Sequence, residues 1–102
     1  MDELELVSFQ IISSVGAARS SYIEAIQLAK EGKFDEAEET INQGDEHFTE
    51  GHHAHTTLVQ KFAGGEKVEV NILLTHAQDQ LMSAEAFKVF GVEIIELYKR
   101  IK

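Results

Sequence analysis

No proline occurs anywhere in the chain, and the residues that punctuate structure cluster at two places, "KEGKF" around Gly32 and "AGGEK" around Gly64 and Gly65. Proline ends a helix by removing a backbone donor and clashing with the preceding turn, so its absence leaves long helices unobstructed. Two breaks in 102 residues predict three segments. Each is long enough for a helix of roughly 25 to 30 residues, about 40 Å at 1.5 Å per residue.

Apolar spacing supports the same division. From Leu4 to Lys30 the residues Leu4, Val7, Ile11, Val15, Ala18, Tyr22, Ala25 and Ala29 recur every three or four positions, the period of an amphipathic helix. Gly32 then suits the left-handed residue that closes a helix. From Phe34 to Ala63 one face is expected to carry Phe34, Ala37, Ile41, Phe48, His52, His55, Leu58, Val59 and Phe62, behind a first turn crowded with Asp35, Glu36, Glu38 and Glu39. Acidic groups there complement the positive end of the helix dipole. The last segment has Asn71 as its expected cap and ends "LYKRIK", which places three cations at the negative end.

Short links between long helices make neighbours antiparallel, so the expected fold is all-α: an up-down-up three-helix bundle. It forms a single domain over residues 1–102, with helices at about 4–31, 34–63 and 71–101. The third helix has more apolar surface than such a bundle can bury. Leu73, Ala77, Leu81, Ala84, Phe87, Ile94, Tyr98 and Ile101 form one stripe, and Ile72, Met82, Ala86, Val89 and Phe90 form a second one rotated from it. A helix apolar on two faces must cover both, so the second stripe predicts self-association. His76 and Asp79, one turn apart, fall on that stripe with Ile72 and Met82.

Nine basic residues against 18 acidic ones leave a formal charge of −9, which repels nucleic-acid phosphates and anionic lipid. No cysteine is present, which excludes disulfides, thiolate metal sites and a cysteine nucleophile. The acidic start "MDELELVSF" lacks the basic and apolar regions of a signal peptide, and no run is long enough to span a bilayer. The expectation is a soluble, cytoplasmic protein without membrane insertion.

The chemistry-bearing residues concentrate in "LLTHAQDQLM". An unpaired carboxylate on an apolar face is costly, so Asp79 either points into solvent at the rim or converges with its copies around an assembly axis, where it would recruit a cation or share protons. A neutral imidazole is a competent nucleophile near neutral pH, and His76 stands near the start of its helix, where the dipole favours an incoming phosphoryl group. The other histidines, His47, His52, His53 and His55, gather in the second segment with Glu46 and Glu50. Glu50 and His53 have the Glu-x-x-His spacing of di-iron bundles, but no second pair exists to complete such a site. His52 and His55 are expected on the apolar stripe as core or interface residues.

The stretches "IISSVGAARSSYIEAIQLAKEGKFDEAEE", "GGEKVEV", "LLTHAQDQLM" and "EIIELYKRIK", in that order, resemble the enzyme IIA component of the lactose/cellobiose (diacetylchitobiose) branch of the bacterial phosphoenolpyruvate-dependent sugar phosphotransferase system. The "HAQD" element after "GEKVEV" is the most specific part of the resemblance.

The resemblance implies a homotrimer of three-helix subunits forming a larger helical bundle, which relays a phosphoryl group during sugar uptake. His76 matches the residue that accepts this group from the histidine phosphocarrier protein and donates it to a cysteine of the IIB component, which serves the IIC permease. Gln78 matches a residue able to hydrogen-bond the phosphoryl group. Asp79 matches the aspartate that meets its copies at the trimer axis and can bind a divalent metal, with magnesium the expected ion. Two positions depart from the family's pattern. Gln80 replaces a histidine in "HAQDH" and can hydrogen-bond but not titrate, and His55 stands where a glutamine is expected. A helical regulator without relay activity and a metal-binding bundle built on His47 to His55 are the alternatives on the same scaffold.

Overall fold

A computed structural model describes residues 1–101. Three helices account for nearly all of them: α1 (Glu3–Lys30), α2 (Phe34–Ala63) and α3 (Ile72–Ile101). No strand is present among the described residues. The helices lie side by side as an up-down-up bundle measuring 52 × 23 × 19 Å.

Both breaks end their helices by the same device. After α1, Gly32 adopts φ 82°, its N–H donates to the Ala29 carbonyl, and the Lys33 N–H donates to Leu28. After α2, Gly65 adopts φ 93°, with Gly65 donating to Phe62 and Glu66 to Lys61. This paired closure satisfies carbonyls a helix end would leave open, and only glycine takes the left-handed conformation cheaply. At the starts of α1 and α3, Asp2 accepts from the Glu5 N–H and Asn71 accepts from the Leu74 N–H, each at 2.8 Å.

The inner face of α1 is the one its sequence period indicates: Ile11, Val15, Ala18, Tyr22, Ala25 and Ala29 are all buried. α1 packs extensively on both other helices, whereas α2 and α3 touch along a shorter line. One half of the core joins Ile11 and Val15 to Ala54, Leu58, Leu74, Ala77, Leu81 and Ala84; the other joins Ala25 and Ala29 to Ala37 and Ile95.

The inner face of α2 follows the expected one only in part, with Phe34, Ile41 and Phe48 packed against the core. Its buried residues are Ala37, Thr40, Gly44, Gly51, Ala54 and Leu58, while Phe62 is 70% exposed and Val59 and His52 also face solvent. Small side chains let α2 approach α1 closely, so that a methyl on Gly44 would stand 2.6 Å from the Tyr22 ring and one on Gly51 2.6 Å from Val15. The Tyr22 hydroxyl donates to Asp45 at 2.8 Å, and Lys88 of α3 pairs with the same carboxylate at 3.0 Å, joining all three helices at one point.

The inner face of α3 is also rotated from the expected stripe. Leu74, Ala77, Leu81, Ala84, Gly91 and Ile95 are buried, and Phe87, Ile94 and Ile101 lie outside with the second stripe. Along that outer face Ile72 is 90%, Met82 71% and Phe90 66% exposed. No helix among the described residues is long and apolar enough to cross a membrane.

Candidate functional site

The first turn of α3 differs electrostatically from those of its neighbours. α1 opens with Glu3 and Glu5 and α2 with Asp35 and Glu36, but the first turn of α3 carries no acidic residue. Its positive dipole end is therefore left uncompensated by side-chain charge, a favourable setting for an anion. His76 stands on the next turn, exposed, and lines an open groove with Val70, Asn71, Ile72, Thr75 and Asp79.

The expected site residues do not all face the same way. His76 and Asp79 share the outer face and the groove. Gln78 instead turns toward α2, where its Nε2 lies 3.0 Å from His55 Nε2. At 100° per residue, two positions along a helix lie nearly opposite one another, so Gln78 and His76 of one chain point apart. An amide nitrogen only donates, so His55 Nε2 is the acceptor and the ring proton sits on Nδ1. Burial, and then the neighbouring His52, lower the His55 pKa from its ordinary value.

Gln80, four residues after His76, lies on the other flank. Its Oε1 accepts from Arg19 Nη1 of α1 at 2.8 Å. The sequence singles out Gln80 as a departure from the family's pattern but contains no local sign of this partner, 61 positions away.

The histidine group of α2 does not form a metal centre. His47 and His53 point to solvent, His52 stacks on Phe48 with ring centroids 6.0 Å apart, and His55 turns to Gln78. Among the described residues no three His, Cys, Asp or Glu side chains come together as a metal ligand set. In a single chain Asp79 likewise lacks companions. Its exposed place on the outer stripe with Ile72 and Ala86, seven residues apart on either side, is one that copies of α3 could bring together around an axis.

Comparison with known proteins is consistent along the whole chain. The lactose/cellobiose-specific IIA subunit family of the phosphotransferase system matches residues 6–99. The lichenan-specific phosphotransferase enzyme IIA component of Bacillus subtilis is 46% identical over 100 residues, which cover 98% of this chain and 91% of that protein. Among solved structures, the cellobiose-specific enzyme IIA of Bacillus anthracis superposes with a TM-score of 0.96 at 46% identity, covering 99% of this chain and 93% of that one. The IIA(chitobiose)–HPr complex of the N,N'-diacetylchitobiose branch in Escherichia coli contains a chain matched with a TM-score of 0.85 at 34% identity, covering 99% and 98%.

Proposed function

This chain belongs to the lactose/cellobiose-specific IIA family of the sugar phosphotransferase system, a phosphotransferase component, and from that premise we propose that it carries a phosphoryl group on His76. The group arrives from the phosphohistidine of the histidine phosphocarrier protein and leaves to a cysteine of the sugar-specific IIB component, which delivers it to sugar entering through the IIC permease. The observation that carries this reading is an exposed imidazole one turn into the only helix, among the described residues, whose first turn bears no acidic side chain. The HPr complex of the chitobiose relative supports the choice of donor.

The chemistry balances without an external acid or base. A lone pair on a His76 ring nitrogen forms the new N–P bond as the donor's N–P bond breaks, and each ring keeps the proton on its other nitrogen. In the second step a thiolate of the IIB component forms an S–P bond, the His76 N–P bond breaks, and the neutral imidazole leaves. The protein's contribution is alignment of the nucleophile and stabilisation of the charge on the phosphoryl oxygens. Gln78 would contribute only across a subunit contact, because within its own chain it faces α2.

Assembly follows from the outer face of α3. Ile72, Met82, Val89 and Phe90 are too exposed to suit an isolated subunit, and pairing three copies of α3 buries them and brings the Asp79 carboxylates together. A ring of carboxylate oxygens is a hard donor set suited to magnesium, which would neutralise the converging charges of Asp79. The relay takes place in the cytoplasm, where the donor and the IIB domain are found.

Incubation with phosphoenolpyruvate, enzyme I and the histidine phosphocarrier protein tests the assignment. Wild type is expected to take up an acid-labile, base-stable phosphate and His76→Ala to take up none; equal labelling of the two rejects His76.

A further inference from the structure

We propose that Arg19 is the cationic contact for the phosphoryl group carried on His76, held over that histidine by its hydrogen bond to Gln80. The proposal rests on the phosphocarrier reading above and adds a residue from a different helix to its site.

Arg19 is conspicuous first for what it lacks. Among the described residues, the half-buried lysines Lys61, Lys88 and Lys99 each pair with a carboxylate. Arg19 is also half-buried, in a chain whose formal charge is −9, yet among the described residues no carboxylate pairs with it. Its partner is the neutral amide of Gln80. A guanidinium has five N–H donors in a rigid fork, and an amide oxygen neutralises none of its charge, so most of its capacity to bind an anion remains.

Direction supplies the second argument. Helical side chains lean toward the N-terminus of their helix and cover the preceding turn. Gln80 therefore leans over the turn that carries His76, about 6 Å below it along the axis. In the up-down-up bundle α1 and α3 run the same way, so Arg19 leans in the same direction, toward the His76 end. Its terminal nitrogen meets Gln80 Oε1 at 2.8 Å, which sets the guanidinium beside the α3 residue one turn above His76. A phosphoryl dianion on the imidazole would draw on the free donors of the fork, while Gln80 keeps hold of one of them.

This arrangement also gives Gln80 a role. An amide at this position offers Arg19 an acceptor oxygen at every pH, whereas a protonated histidine would repel the guanidinium.

The test uses the whole chain. Single-turnover transfer from phosphorylated histidine phosphocarrier protein is compared for wild type, Arg19→Met, Arg19→Lys and Gln80→Leu, and guanidinium 15N resonances are followed before and after phosphorylation of wild type. Arg19→Met is expected to slow transfer about 100-fold. Arg19→Lys should recover part of that loss, and Gln80→Leu should lose less than Arg19→Met. The Arg19 resonances should shift on phosphorylation. A wild-type rate in Arg19→Met, or resonances unmoved in phosphorylated wild type, overturns the proposal even if His76 is the labelled residue. Wild type that takes no label on His76 overturns the phosphocarrier reading and this proposal together. Because the resonance measurement is made on wild type, it decides the matter even if Arg19→Met does not fold.

Discussion

The His55 imidazole and the Gln78 amide meet nitrogen to nitrogen at 3.0 Å, joining the C-terminal third of α2 to the second turn of α3, the two helices of the bundle that touch least. The contact requires a neutral His55, since a protonated ring has no lone pair to offer the amide N–H.

A pH dependence follows. The folded state lowers the His55 pKa below its ordinary value of 6.5, chiefly through burial. The unfolded chain therefore takes up a proton first, and stability is lost as pH falls from 6.5 toward the folded pKa. Above 6.5 both states are neutral and the contribution is complete. His55→Gln should retain a hydrogen bond to Gln78 and flatten this part of the thermal midpoint against pH; an unchanged slope would assign the dependence to another group.

Close contact between α1 and α2 makes glycine substitutions sensitive to position. Gly44→Ala puts a methyl 2.6 Å from a Tyr22 ring that Asp45 holds in place, and should cost about 1–3 kcal/mol in urea unfolding. Gly16→Ala meets open space on the outer face of α1 and should stabilise a dissociated subunit by about 0.5–1 kcal/mol. Equal effects of the two would contradict the packing described.

Ser8 is fully buried in α1, and its hydroxyl has no hydrogen-bond partner among the described residues. A buried unsatisfied hydroxyl is a net cost, so Ser8→Ala should raise stability by about 1 kcal/mol. Destabilisation on chemical denaturation would point to a partner for the hydroxyl.

The outer stripe of α3 is testable by sedimentation. Phe90→Glu introduces a charge at a 66% exposed aromatic and should convert the proposed trimer to monomer at micromolar concentration. Chelation of divalent ions should weaken the wild-type assembly, and Asp79→Asn should remove that sensitivity. A wild type that sediments as a monomer would reject the assembly outright.

Local chemistry made much of the molecule legible. The three helices, their closure at Gly32 and Gly65, the Asn71 cap and the inner face of α1 all follow from residue type and spacing, because turns and caps depend on a few neighbouring atoms. The family resemblance likewise rests on contiguous motifs and is matched along residues 6–99.

Faces were harder to read than helices. Counting hydrophobic residues favours Phe62 and Val59 for the α2 seam, but close packing selects Gly44, Gly51 and Ala54, whose value is the room they leave. On α3, two apolar stripes less than a half-turn apart cannot be assigned by period alone, and packing against the other two helices places Leu74, Gly91 and Ile95 inside.

The sequence by itself determined where helices begin and end, that α3 carries more apolar surface than one subunit can cover, and which histidine stands closest to a helix start. Only the tertiary structure decided what faces that histidine's turn. Gln78 turns away to His55, and Gln80 turns to Arg19, a partner 61 positions distant. Period fixes the direction of a side chain relative to its own helix, but which neighbouring helix lies in that direction is set by packing of the whole bundle.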